Sequence, residues 1–260
     1  MNMRLYFKFF SMHLKSRMAY KKSFFFSVVG QFLASFTSFL WVVFLFDRFN
    51  VVRGYTVGEC LLCAGTVALS FALAEMFFRS FDSMQNLING AELDRLMLRP
   101  RGLIFQMICH TVEFGRIGRI AQAVMMLIYG ISAADIVWTA PRMGVLMLMV
   151  LCGTALFAAL FILHAAMCFF TIESIEFLNV LTYGAREYGS YPFDVYGKHV
   201  LRFCTYAVPY ALIQYYPLQY LTGNTENIGY GLITLAAPLF LIPCYAVWRL
   251  GIRKYKSAGS

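Results

Sequence analysis

Glu75 stands four residues before Arg79 near the end of a long apolar run. On a helix that spacing makes an ion pair. A carboxylate in apolar surroundings can also line a cation path, because its burial is costly unless it is used. Glu173 and Glu176, at i, i+3, could share a metal or a proton, and the nearest apolar-run histidine is His164. At about 100° per residue His164 falls on the opposite side of a helix from Glu173, so a shared metal site there is disfavoured and the carboxylates read as partners for Arg or Lys. Cys60 and Cys63 form a CxxC with no second pair or nearby His to complete a zinc set. Five tyrosines, at 206, 210, 215, 216 and 220, gather around Pro209 and Pro217. They suit an interfacial aromatic belt, or the lining of an exit path for flat or cationic solutes, with Glu75, Tyr206, Tyr210 and Tyr216 on the path. The sequence contains no GxxxxGK[ST], HExxH or GxSxG, which removes the phosphate cradle, the zinc peptidase and the nucleophile elbow.

The elements that position these residues belong to a membrane. Of 260 residues, 60% are apolar and 13% charged, with a mean hydropathy of +0.65. A soluble domain carries about 25% charge and about 45–50% apolar residues, so a water-soluble core is excluded. Seven cysteines scattered through apolar stretches read as packing residues rather than a disulfide framework. The net charge of +9 points to anionic lipid and positive-inside topology rather than nucleic acid.

A span needs roughly 20 apolar residues. Runs of that kind extend over Phe24 to Phe46, Val57 to Phe78, Ile117 to Ile131, Gly144 to Phe170, Val200 to Leu221 and Tyr230 to Trp248. The third fits only with Gly118, Arg119 and Gln122 at its interfacial end. The fifth, interrupted by two prolines, is expected to be bent or to be a helix followed by a re-entrant piece. Six spans put both termini on one side. With that arrangement 19 of the 22 Lys and Arg fall on the side of the termini and three, Arg48, Arg53 and Arg142, on the other, which predicts N-in and C-in. Residues 1–22 place Met3, Phe7, Phe10, Leu14 and Met18 on one helical stripe beside Arg4, Lys8, Lys15 and Lys22. This is the pattern of an amphipathic helix lying at the cytoplasmic interface. The whole chain, 1–260, reads as one all-α membrane domain: the interfacial helix over 1–22, a six-span bundle over 23–249 and a cytoplasmic tail over 250–260.

Between the second and third spans, Asn89-Gly90 signals a turn and Pro100 a stop. Glu92 to Arg99 forms a two-turn helix with Leu93, Leu96 and Met97 on one face and Glu92, Asp94, Arg95 and Arg99 around it. Such a helix can seat its apolar stripe in the groove of a soluble partner, or serve as a plain solvated loop helix.

Glu92-Leu-Asp-Arg-Leu-Met-Leu-Arg-Pro100 with Phe105-Gln106, the segment Tyr191-Pro192-Phe193-Asp194-Val195-Tyr196-Gly197, the Val208-Pro209 and Tyr216-Pro217 pairs, and the tail from Trp248 to Gly259 occur in order along nearly the whole chain. Together they resemble bacterial permeases of the ABC-type-2 exporter superfamily. The resemblance implies a six-helix permease of the bacterial plasma (inner) membrane that exports a hydrophobic or amphipathic solute. It implies pairing with a second permease, identical or homologous, and with two copies of an ATP-binding subunit. No cofactor is implied in this chain, ATP and Mg residing on the partner. Carried to this sequence, the coupling elements are Glu92 to Pro100, with Leu93, Asp94, Arg95, Leu96 and Arg99, and a second segment containing Tyr191, Pro192 and Asp194. The rival class is an ion- or proton-driven carrier using Glu75, Glu173 and Glu176 as its relay.

Overall fold

A computed structural model describes residues 3–49, 52–171 and 176–255, the side chains of Met3, Phe49 and Glu176 excepted. Among these residues the chain is helical, and its β pairing is limited to an isolated bridge between Val52 and Tyr55. Four stretches are long and apolar enough to cross a membrane: Lys21–Arg48, Val57–Asn89, Ala140–Met167 and Gly229–Lys254. The helices are α1 (Met3–Met18), α2 (Lys21–Phe49), α3 (Val57–Asp82), α4 (Met84–Asn89), α5 (Glu92–Met97), α6 (Leu103–His110), α7 (Ile117–Ala133) and α8 (Ala140–Met167). They continue as α9 (Glu176–Asn179), α10 (Ala185–Tyr188), α11 (Lys198–Tyr206), α12 (Tyr210–Ile213), α13 (Tyr215–Leu221), α14 (Gly229–Leu232) and α15 (Leu241–Lys254).

α3 is the central post. Its start is fixed locally: the Glu59 backbone N–H donates to Thr56 Oγ1, and the Thr56 N–H donates back to Glu59 Oε2 at 2.8 Å. This reciprocal cap explains a carboxylate at the head of an apolar run. At 26 residues α3 is about 39 Å long, longer than a hydrocarbon core of about 30 Å. α7 and α8 pack along it, and α2 packs on α7. Close approach depends on glycine. A Cβ on Gly58 would lie 2.4 Å from the Ala134 nitrogen, and one on Gly118 would lie 2.0 Å from the Val28 carbonyl oxygen. Small residues at crossings are what let helices meet where water supplies no driving force. Gly118→Leu is therefore expected to push α2 off α7 and cost about 1–3 kcal/mol. Thermal unfolding in detergent reads the loss; Gly144→Leu, which meets nothing within 4 Å, should leave the midpoint in place.

The bundle has two ends. One carries α4 to α6 and both described chain ends. There α1 docks through Phe10 against Phe114, ring centroids 5.0 Å apart, and through His13 Nε2 at 3.0 Å from the Cys109 carbonyl; at the other terminus Trp248 of α15 packs on Phe81. The apolar stripe of α1 is split: Phe10 and Leu14 pack on Met76 and Val112, while Phe7 and Met18 stay exposed, as suits a helix lying on a membrane surface. The opposite end carries the Val52–Tyr55 turn and the connection from α7 to α8.

A further stretch, called here the fifth passage, runs from one end of the bundle to the other without counting among the four long apolar helices. It is the broken stretch 176–196: α9, a π-helical turn over Val180–Gly184, α10 and a 3-10 turn over Phe193–Tyr196. Tyr183 meets Asp82 at the α5 end, Gly189 lies against Val67 halfway along α3, and Asp194 meets Tyr55 at the far end. The run Val200 to Leu221, expected to span, lies instead in α11, α12 and α13, which enter from the Tyr55 end and return to it; Leu221 packs with Ala134 and Val145 there. The segment folds back on itself rather than running straight, and the 176–196 stretch before it carries no uninterrupted apolar run. Lys198 and Arg202 of α11 consequently leave the α5 end, giving 16 basic residues against 5 among the described residues. The asymmetry survives.

Candidate functional site

α5 is set up by the turn before it, where Ala91 takes a left-handed φ of 54°. Leu93 and Leu96 are buried with Phe81, Met84, Leu87 and Met107. Gln106 closes the other end: its Nε2 donates to the carbonyls of Leu96 and Arg101, each at 2.9 Å, satisfying groups that a helix C-terminus leaves open. Ser80 of α3 donates to the Met107 carbonyl, tying α6 to the central post. The apolar stripe of α5 thus faces the bundle and is not offered to a partner, which corrects the expected role of Leu93 and Leu96. A two-turn helix beside an apolar core buries its stripe there first, because that surface is always present. The outward face is Glu92, Arg95, Leu98, Arg99 and Pro100, with Asp94 half-buried. Glu92 and Arg95 pair at 3.2 Å in the open, a contact worth little by itself. Leu98 is 85% exposed. It was legible as apolar but masked by the three stripe positions.

Behind α5, at the same end, sits a charge cluster that the sequence revealed only by its first pair. Glu75, 1% exposed, has Arg79 at 3.4 Å, Arg116 at 3.0 Å and Arg119 at 2.8 Å. Arg116 also donates to Gln31 of α2. Arg79 pairs with Asp82 at 3.0 Å and donates to the Tyr183 hydroxyl, which in turn donates to Asp82 at 2.9 Å; His164 Nδ1 of α8 lies 3.7 Å from Asp82. One carboxylate clamped by three guanidiniums is a brace between α3, α7 and the fifth passage. It is poorly suited to relay cations, since three fixed positive charges repel them. Glu173 lies outside the described residues, as does the Glu176 side chain, so the expected relay at that pair has no geometry here.

The other expected residues are not brought together. Tyr191, Pro192 and Asp194 sit at the Tyr55 end, opposite α5: Tyr55 donates to Asp194 Oδ2 at 2.9 Å and accepts from Gln219 at 2.9 Å, and Arg53 donates to the Asp194 carbonyl at 3.2 Å. Burial, then the hydrogen bond to Asp194, push the Tyr55 phenol well above its ordinary pKa, so it remains a donor. The 191–194 stretch, expected as a second coupling segment, thus pins the fifth passage to the α2–α3 turn at the end away from α5. Tyr210 is buried and donates to the Leu181 carbonyl, Tyr216 contacts Thr205 at 3.3 Å, and Tyr206 is 86% exposed. Glu75 makes its printed contacts with arginines instead. Missed altogether was Gln214, fully buried, whose Nε2 donates to the carbonyls of Gly189 at 2.6 Å and Tyr191 at 2.9 Å. It supplies partners that the break between α10 and Pro192 takes away, a necessity for irregular backbone at membrane depth.

Between the fifth passage and α11 lies a cavity of about 410 Å³ lined by aromatic and aliphatic side chains, among them Phe177, Val180, Phe193, Val200 and Phe203. Phe177, Val180 and Phe203 are exposed. All seven cysteines are free and buried, and no group of three metal-ligating side chains gathers among the described residues. The cavity is suited to apolar groups.

No curated protein and no solved structure matches the chain. The family model described as ABC-2 family transporter protein matches residues 32–259, from the middle of α2 to beyond α15. A helical bundle with four stretches fit to cross a membrane and an apolar cavity along its broken fifth stretch is thus a multi-pass permease, and the chain belongs to the ABC-2 transporter family, whose membrane components work with an ATP-binding subunit.

Proposed function

We propose that the chain is the membrane half of an ATP-driven exporter of a hydrophobic or amphipathic solute in the bacterial plasma membrane. Residues 1–260 act as a single permease domain with six crossings, α2, α3, α7, α8, the broken stretch 176–196 and the α14–α15 unit, with both termini cytoplasmic. Two ATP-binding subunits, which carry ATP and Mg, and a second permease, identical or homologous, complete the transporter.

The observation that carries this reading is α5: a rigid element locked on the core by Leu93, Leu96 and Gln106 while Glu92, Arg95, Leu98 and Arg99 face outward. Closure of the ATP-binding pair moves α5 as a body. The motion passes into α3 through the packing of Phe81 and Met84, and into the fifth passage through the Arg79, Asp82 and Tyr183 contacts. ATP shifts the inward- and outward-open populations only through contacts that differ between them. The apolar cavity beside α11 supports a hydrophobic cargo.

Affinity purification from membranes is expected to bring down an ATP-binding chain, and uptake into inverted vesicles to stop on ATP depletion. Transport that persists on a proton gradient alone, with no ATP-binding chain recovered, overturns the reading in favour of a carrier. A reporter fused at Ser260 and found outside the cell overturns the topology.

A further inference from the structure

A second cleft, of about 230 Å³, opens at the α5 end between α1 and the α5–α6 pair. Its lining combines apolar side chains, Phe9 and Met12 of α1 and Phe105 of α6, with the basic Arg99 and Arg101 and two histidines, His13 and His110. Neither Arg99 nor Arg101 has an ion-pair partner among the described residues, and no Asp or Glu lines the cleft. Gln106, nine-tenths buried, lines it too, and its Oε1 lacks a donor although its Nε2 is fully used. A side chain fixed at one end and open at the other is an acceptor waiting for a hydroxyl.

We propose that this cleft binds the head group of an anionic, hydroxyl-bearing phospholipid of the adjacent leaflet. The phosphate lies between Arg99 and Arg101, a head-group hydroxyl donates to Gln106 Oε1, and the upper acyl chain runs along Phe9, Met12 and Phe105. Charge complementarity selects the lipid: an apolar lining with unneutralised basic side chains matches an amphiphile with one negative charge. Because Leu96 and Arg99 border the cleft, the bound lipid would hold the C-terminal end of α5 against α1. That consequence rests on the coupling role of α5; the site does not.

The full chain in detergent is titrated with dioleoyl phosphatidylglycerol, dioleoyl phosphatidylcholine or inorganic phosphate, and bound lipid is counted by native mass spectrometry. Phosphatidylglycerol is expected to bind in preference to phosphatidylcholine. At about fivefold per arginine, Arg99→Gln with Arg101→Gln should weaken it about 25-fold. Arg4→Gln with Lys8→Gln removes two exposed cations of α1 outside the cleft and should change binding little. The proposal is overturned if the two pairs of substitutions lose equally, which means diffuse charge, if phosphatidylcholine binds as well, or if millimolar phosphate displaces the lipid. These readings need no ATP-binding subunit, so their failure is distinct from a failure of the coupling role.

Discussion

Leu98→Asp leaves the permease folded and inserted but weakens its complex with the ATP-binding subunit by about thirtyfold, the loss of an interfacial hot spot worth at least about 2 kcal/mol. The expectation follows from exposure. At 85% exposed, Leu98 contributes nothing to the bundle, so an aspartate there is solvated in the free chain and unfavourable only when a partner covers it. Leu96→Asp is the contrasting variant. Leu96 is buried with Met84 and Met107, and an unpaired carboxylate there strains the fold itself, lowering thermal stability before any partner is added. Arg95→Glu places a second acid beside Glu92, 3.2 Å from the present guanidinium, and should weaken the complex through like-charge repulsion with unchanged folding. Binding measured with purified subunits, alongside thermal unfolding of the permease alone, separates the two classes. If Leu98→Asp and Arg95→Glu both bind as the parent does, α5 is not the coupling element.

Glu75→Gln should cost about 3–5 kcal/mol of stability, the loss seen when one partner of a buried ion pair is removed and the other charge is left uncompensated. Arg79 would keep Asp82 and Arg116 would keep Gln31, whereas Arg119, whose ion pair is with Glu75 at 2.8 Å, would lose its counter-charge. Adding Arg119→Gln is therefore expected to recover part of the loss, as coupled neighbours do in a double-mutant cycle. Detergent thermal unfolding of the four variants checks this. A single substitution that leaves stability intact while abolishing proton-dependent transport would instead mark Glu75 as a relay.

Some of this architecture was legible from local pattern. Where apolar residues run unbroken for about 20 positions, the membrane forces a helix whatever the neighbours do, and α2, α3, α8 and the α14–α15 unit fall within a few residues of the counted runs. α7 begins at Ile117 with Arg119 in its first turn, as the short third run required, because Glu75 receives the charge. Pro100 marks the stop after α5 by acting on its own backbone, whereas the left-handed turn before α5 falls on Ala91 and not on Gly90.

What the sequence did not contain was the choice of face and of end. The fifth passage is interrupted by a π-helical turn and by Pro192, so no apolar window marks it; it can cross because Gln214, more than twenty residues further on, hydrogen-bonds the carbonyls left open at the break. Tyr191, Pro192 and Asp194 went to the Tyr55 end by way of that crossing. Leu93 and Leu96 turned inward because the bundle offered them a permanent apolar surface. Arg116 and Arg119 found Glu75 across more than forty residues of chain. Hydrophobic length is local and survives in the sequence. The partner that satisfies a buried charge or carbonyl is fixed only when distant segments are packed together, because in a low-dielectric interior an unpaired polar group is too costly to leave and any nearby segment can supply the pair.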